Sequence, residues 1–245
     1  MHKEIRVVDK EKGILQCTTV GERWYVRDMT DPETGLPKYE FVPSVTWICD
    51  FFPKSVQFYK WLASKGWDES QAIKSAAGDR GSRVHYAIQD LIQGKSVAID
   101  AEYKTADSEE KKELSLDEYG CLMSFIKWVK DTKPEFLSSE FCVWGDGYAG
   151  TVDAICMIDG KKWLIDWKTS QYIWPSMELQ VSAYKHALEE QDVNLAILQL
   201  GFRLNKNKYK FTEIQDEFEL FLAAKQIWKK ETKEVSPKQK DYPLS

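Results

Sequence analysis

Asp153, Asp166 and Lys168 are the residues whose types and spacing first suggest chemistry in this sequence. Ile155 to Ile158 and Trp163 to Ile165 are short apolar runs of β-branched and aromatic residues, and Asp159-Gly160 between them is a two-residue hairpin signal. With those two residues as the loop, Ile158 faces Lys161, and the same register carried back sets Asp153 opposite Asp166. Directly opposed residues put their Cβ atoms roughly 4.5–5.5 Å apart, where two carboxylates repel. Lys168, two residues beyond Asp166, shares its face of the strand. A divalent cation is the natural further counter-charge, because Mg²⁺ is typically held by one or two carboxylates plus waters and substrate phosphate oxygens. A structural Asp166–Lys168 ion pair is the alternative. The Asp-X-Lys spacing is uninformative by itself, since Asp131-Thr132-Lys133, Glu109-Glu110-Lys111 and Glu231-Thr232-Lys233 match it or its Glu form in polar surroundings. Asp166 differs because Trp163, Leu164, Ile165 and Trp167 surround it, and a carboxylate in a core strand is costly unless paired or metal-bound.

Several further elements must position this group. Pro175 supports a helix start near Ser176, and Gln180 and Tyr184, four apart, project from one face of it. Upstream, Val84, Ile88, Leu91 and Ile92 form an apolar stripe that predicts an amphipathic helix over 82–93, with His85 beside the stripe. By itself His85 reads as a half-buried histidine with a satisfied hydrogen bond. Two helices are expected before it, Ser55 to Lys65 with Phe58, Trp61 and Leu62 at helical spacing, the Phe and Trp reading as core with base stacking as the alternative, and Glu69 to Ala77, with Gly78-Asp79-Arg80-Gly81 interrupting the pattern. Tyr119 to Val129 reads as a helix, Leu137 to Trp144 as a strand carrying Glu140, and Leu195 to Phe202 and Tyr209 to Ile214 as further strands. Phe218 to Trp228 closes the pattern as a helix, followed by a lysine-rich tail with Lys238 and Lys240. Ile14 to Val20 and Arg23 to Arg27 read as short N-terminal strands without evident chemistry, an extension that covers the core or, as the less favoured alternative, guides a nucleic-acid strand, and Asp31-Pro32 and Leu36-Pro37 punctuate the loop after them. Gly94 to Leu114, with Ser108-Glu109 in its middle, is polar and reads as an exposed segment.

At 245 residues with 43% hydrophobic content the chain is long enough for a sizeable core. The net charge of −5 is not that of a general nucleic-acid binder, but charge is uneven. Residues 131–190 carry ten acids and five lysines, and residues 201–240 carry ten Lys/Arg and six acids. An acidic cation-binding centre beside a basic flank fits this asymmetry, and ordinary solvated faces explain it nearly as well. Arg203, Lys206, Lys208 and Lys210 are candidates to track phosphates, and solubilising turn charge is the plain alternative. The five cysteines are irregularly spaced, with no CxxC pair and no zinc or iron–sulfur ligand run, which suggests reduced thiols and an intracellular, cytoplasmic setting. No apolar run is long enough for a signal peptide or a membrane span, and no phosphate-cradling glycine loop suggests ATP use.

Three ordered motifs, Gly150-Thr151-Val152-Asp153, Ile165-Asp166-Trp167-Lys168-Thr169 and Gln180-Val181-Ser182-Ala183-Tyr184, resemble the active-site series of the PD-(D/E)XK nucleases, specifically the RecB-like exonuclease branch with its phage-type and mitochondrial members. Gly81-Ser82-Arg83-Val84-His85 resembles that branch's Gly-Thr-X-X-His motif, with Ser82 in the threonine position, and Trp167 stands where tyrosine is more common. Val42-Pro43-Ser44-Val45-Thr46 resembles the segment before its first helices. The resemblance covers roughly residues 43 to 200 and implies a restriction-endonuclease-like α/β fold, a mixed sheet flanked by helices, with N-terminal β and helical additions.

The whole of 1–245 would then be one nuclease domain: a β extension over 1–54, a helical region over 55–135, a catalytic sheet core over 136–215, and a closing helix with a basic tail over 216–245. The resemblance further implies a metal-dependent DNA exonuclease, favouring single-stranded ends and acting in a bacterial or phage-infected host cytoplasm. His85, Asp153, Asp166 and the Trp167 backbone carbonyl would hold Mg²⁺ or Mn²⁺, and Lys168, with Asp153 and Asp166, would be catalytic. Gln180, Tyr184, Arg83, Arg203 and Lys206 would contact DNA, and Glu140 would be an accessory residue or merely part of the sheet. Neither an iron–sulfur cluster nor ATP is expected. A catalytically dead nucleic-acid-binding module, a structure-specific endonuclease and an RNA nuclease are the competing readings.

Overall fold

A computed structural model describes residues 4–19, 21–30, 35, 37–105, 110–190, 192–233 and 236–237. His2, Asp31-Pro32, Leu36, Ser108-Glu109 and the tail lysines Lys238 and Lys240 lie outside the described residues.

The centre is a five-stranded mixed sheet formed by β7 (Glu135–Gly145), β8 (Tyr148–Ile158), β9 (Lys161–Lys168), β10 (Asn194–Leu200) and β11 (Tyr209–Ile214), in the order β11-β10-β9-β8-β7. β9 and β10 run parallel and the other neighbours antiparallel. The β8–β9 turn takes the geometry its sequence calls for, with φ of 48° at Asp159 and 74° at Gly160. Two positive φ values match the right-handed twist of the flanking strands, and Asp-Gly adopts them readily. The turn pairs Ile158 with Lys161 and carries the register back to Ala154 and Ile165.

Helices cover both faces. On one side α1 (Val45–Cys49), α5 (Pro175–His186) and α6 (Phe218–Thr232) pack Ile48, Leu179, Val181, Phe221 and Trp228 against Val152, Leu164 and Ile197. On the other, α3 (Trp67–Ile92) and α4 (Leu116–Thr132) pack Val84, Ile88, Leu122, Phe125 and Trp128 against Ala154, Ile165, Trp167 and Leu198. From α4 to β10 the order is helix, three strands, helix, strand, which leaves a mixed α/β core with helices on both faces of the sheet.

A second sheet, β1 (Glu4–Asp9), β2 (Ile14–Thr19), β3 (Glu22–Thr30) and β4 (Pro37–Pro43), closes against β7 and β8 through Ile14, Tyr25, Val42, Cys142 and Ala149. β5 (Glu102–Tyr103) and β6 (Lys112–Glu113) pair within the polar segment.

Two expectations differ from the structure. α3 is one helix of 26 residues that runs through Gly78 and Gly81. Each glycine costs a helix interior about 1 kcal/mol relative to alanine, but packing of the Val84–Ile88 half holds the helix continuous. Phe58 and Trp61 are not core residues, because α2 (Val56–Lys65) buries none of its side chains. The five cysteines are buried, free of disulfides and spread over three apolar clusters. Among the described residues no helix is long and apolar enough to cross a membrane.

Candidate metal centre and nuclease site

The geometry begins where the β8–β9 ladder ends. Beyond Ala154↔Ile165 the backbones no longer pair, and the Asp153 carboxylate fills the gap, with Oδ2 accepting the Trp167 N–H at 2.7 Å. Val152 packs with the α5-side cluster and Ala154 with the opposite one, so side-chain alternation changes phase across Asp153. The simple face-to-face pairing of Asp153 with Asp166 is therefore replaced by two adjoining groups.

The first group is His85, Glu140 and Asp153, whose ligand atoms lie within 4.8 Å of one another. His85 projects from α3 with Nδ1 at 3.4 Å from Asp153 Oδ1 and 3.7 Å from Glu140 Oε1, while Nε2 sits 3.1 Å from the Trp167 carbonyl oxygen. The Trp167 ring is buried against Phe125 and Trp128, which fixes that carbonyl. Glu140 lies across from Asp153, between the pairs Ser139↔Ala154 and Phe141↔Val152, and its φ is 49°. A left-handed glutamate inside a strand costs on the order of 1–3 kcal/mol, and such strain tends to be retained where it aims a functional side chain.

The second group is Asp166, Lys168, Gln180 and Tyr184. Lys168 Nζ lies 2.6 Å from Asp166 Oδ2 and donates to Gln180 Oε1 at 3.2 Å. Gln180 Nε2 donates to Asp166 Oδ1 at 3.0 Å and to the Tyr184 hydroxyl at 2.9 Å. Gln180 and Tyr184, expected to contact DNA, are thus spent largely on holding Asp166 and Lys168. Gly150 makes this approach possible, since a Cβ there would come within 2.3 Å of the Tyr184 ring.

Electrostatics follow from burial and these neighbours. Burial raises the Asp166 carboxyl to about 6, Asp153 adding to the rise while Lys168 opposes it. Burial also raises Glu140, and the His85 contact only partly offsets this. His85 goes well above its ordinary value despite burial, because Asp153 and Glu140 hold its proton. For Asp153 burial is outweighed by His85, Lys168 and the Trp167 N–H, so its carboxyl is lowered. Lys168 is likewise raised against burial by Asp166 and Asp153.

The donor set suits a hard or borderline divalent cation, with carboxylate oxygens, a backbone carbonyl and an imidazole. Among the described residues the buried Asp166 Oδ2 has Lys168 Nζ at 2.6 Å, whereas the buried Glu140 Oε1 has only His85 Nδ1 at 3.7 Å. An anionic oxygen as loosely partnered as Glu140 Oε1 is costly unless a further cation is near.

The remaining expectations fall elsewhere. Arg83, expected to contact DNA, is paired within the fold: its Nε and Nη2 donate to Glu118 Oε1 at 2.9 and 2.6 Å. Glu118 Oε2 in turn accepts the Ser115 N–H at 2.7 Å in the α4 capping box. Burial would raise Glu118, but Arg83 and Ser115 lower it overall. Removing one partner of a buried pair strands the other charge, so Arg83→Met is expected to cost about 3 kcal/mol in urea unfolding with DNA affinity unchanged. Arg203 and Lys206 are exposed in the β10–β11 connection, outside both groups.

The N-terminal sheet contributes residues that no local motif singles out. A cleft of about 170 Å³ beside His85, Glu140 and Asp153 is also lined by Arg6, Gln16, Arg23 and Tyr25. The Tyr25 hydroxyl lies 3.1 Å from Thr151 Oγ1 and accepts from Gln16 Nε2 at 2.9 Å. Arg6 sits over the ring of Tyr86, next to His85. Strand alternation in β1 and β3 marks which side chains share a face, but nothing in the sequence says that this face meets the cation group.

No protein-family model matches the sequence, and no curated protein matches it. Among solved structures the chain is similar to an alkaline exonuclease (LHK-Exo) from Laribacter hongkongensis, at 9% identity over 76% of this chain and 83% of that one, with a TM-score of 0.38.

Proposed function

We propose that the protein is a divalent-cation-dependent DNA exonuclease that hydrolyses phosphodiester bonds from strand ends, favours single-stranded DNA and needs no ATP. The observation that carries this reading is the joining of His85, Glu140, Asp153 and the Trp167 carbonyl to a buried Asp166–Lys168 pair at one break in the sheet. A purely structural ion pair would not require a strained glutamate and a helix-borne histidine at the same point.

His85, Glu140, Asp153, Asp166 and the Trp167 carbonyl would hold Mg²⁺ or Mn²⁺. When bound, such an ion polarises the scissile phosphate and lowers the pKa of water so that hydroxide is available near neutral pH. Lys168 supplies a fixed positive donor toward the charge that develops on the phosphate, the kind of preorganised contribution that is usually large. Asp166 and Gln180 hold its ammonium in place. Arg6 and Arg23, on the wall of the cleft, offer the backbone of the strand a cationic surface. The family would be the PD-(D/E)XK nucleases, the chain a single nuclease domain, and its setting the cytoplasm.

End-labelled single- and double-stranded DNA incubated with the protein in Mg²⁺ or Mn²⁺ is expected to release short labelled products that EDTA suppresses, with circular single strands spared. Retention of DNA without cation-dependent product would replace the enzyme with a binding module, and cutting of the circle would make it an endonuclease.

A further inference from the structure

A second and larger cleft, about 440 Å³, begins at Thr169, the residue after Lys168. Its place follows from topology. β9 and β10 are the parallel pair of the central sheet, and just past their carboxyl ends Thr169, Gln171, Gly201 and Arg203 line the cleft. The carboxyl ends of parallel strands are where α/β sheets open crevices to ligands.

The walls are built rather than incidental. Gln171 Nε2 donates to the Gly201 carbonyl at 3.0 Å, and its Oε1 accepts the Arg203 N–H at 2.9 Å. Ser124 Oγ accepts the Gly201 N–H at 3.0 Å, and a Cβ at Gly201 would come within 2.9 Å of Cys121 Sγ. Three cations reach the space from two parts of the chain, Arg80 from α3 and Arg203 and Lys208 from the β10–β11 connection, against one carboxylate, Asp117. The Arg203–Asp117 contact is long at 3.9 Å and both side chains are well exposed, so Arg203 keeps its charge available. Leu116, well exposed at the rim, supplies apolar surface, and Leu200 lies buried behind the cleft. Cavities of roughly 300–1,000 Å³ with apolar lining and a few fixed polar groups are those that accept small ligands.

We propose that this cleft is a subsite for one nucleotide of a DNA strand adjoining the scissile phosphodiester, with Arg80, Arg203 and Lys208 on its phosphate and the exposed Leu116 against its base. The assignment rests on the reading of the neighbouring site as a nuclease centre. It adds a second anion-binding position that the cation group does not provide.

The test uses thymidine 5′-monophosphate in EDTA, followed by NMR titration, with the parent protein, an Arg203→Ala/Lys208→Ala double variant, and Lys161→Ala as a control at the opposite end of β9. Thermal unfolding verifies that each variant is folded. The parent and the control are expected to bind the mononucleotide, and the double variant about tenfold more weakly. Equal binding by the double variant, or no binding to the parent at millimolar nucleotide, overturns the subsite. With DNA as substrate, the double variant is expected to raise KM about tenfold with kcat within about twofold. The slope of log affinity against log salt for a single strand is expected to fall by about 1.4. A parent protein that binds the mononucleotide yet cuts no DNA refutes the nuclease reading alone. A double variant that cuts with unchanged KM and salt slope refutes the subsite alone.

Discussion

Lys168→Ala is expected to lower kcat for DNA hydrolysis by about 10²–10³-fold while leaving DNA affinity and cation affinity close to those of the parent. The half-buried ammonium sits beside Asp166 and Gln180 and stays charged at working pH, since Asp166 and Asp153 raise its pKa against the cost of burial. A charge fixed before reaction costs no reorganisation when negative charge develops on the phosphate, so its loss falls on turnover rather than on binding. The competing account makes Lys168 a structural counter-ion to Asp166. It predicts a lower unfolding midpoint with kcat per folded molecule unchanged. The two are separated by measuring kcat on an active-site-normalised sample together with urea unfolding. In the cation-free variant Asp166, its carboxyl already raised to about 6, avoids a stranded charge by taking up a proton, and a bound cation at working pH displaces that proton again. An unaltered kcat in Mg²⁺ and in Mn²⁺ would remove Lys168 from the chemistry.

What the sequence made legible here was local. The Asp-Gly turn fixes a register that extends without error to Ala154↔Ile165, and the apolar spacing of α4, α6 and β11 places them to within a few residues. Where the register stops is decided by a side chain, as Asp153 takes the Trp167 N–H in place of a ladder partner, and no periodicity announces that exchange. Glu140 belonged to the site for a reason equally hidden, a positive φ that only the packing of β7 between α3 and β8 can enforce. Arg83 shows the opposite failure. Its position in a motif suggested a ligand contact, but Glu118, 35 residues on, claims it through α4, and long-range partners of that kind leave no mark on local spacing. The N-terminal strands do cover the core, and their contribution of Arg6 and Arg23 to the cleft depends on how two sheets dock.

Asp153→Asn is expected to be the most damaging single change at the cation group, lowering Mn²⁺ affinity by at least about 10²-fold, as losing a charged ligand exceeds the loss seen for outer-shell partners. Asparagine keeps a carbonyl oxygen for the Trp167 N–H, so the sheet break survives; Asp153→Ala orphans that N–H as well and adds about 1–3 kcal/mol of destabilisation. The pH dependence follows from the same groups. Asp166, raised to about 6, and Glu140 and His85, both raised, favour their protonated forms in the folded protein. Their contribution to stability is therefore full below their unfolded values and is lost as pH rises through the folded ones. Asp153, lowered, works the other way: its contribution is present above its unfolded value and is lost as pH falls through the folded one. A cation must displace the three raised protons, so its affinity, and the increase in Tm it produces, should grow between pH 5 and pH 8. In Asp153→Asn the imidazole loses the carboxylate that does most to hold its proton, so the His85 part of this pH dependence moves to lower pH even as binding weakens. Equal Mn²⁺-induced stabilisation at pH 5 and pH 8 in the parent, or parent-like affinity in the variant, would show that these side chains do not hold the ion.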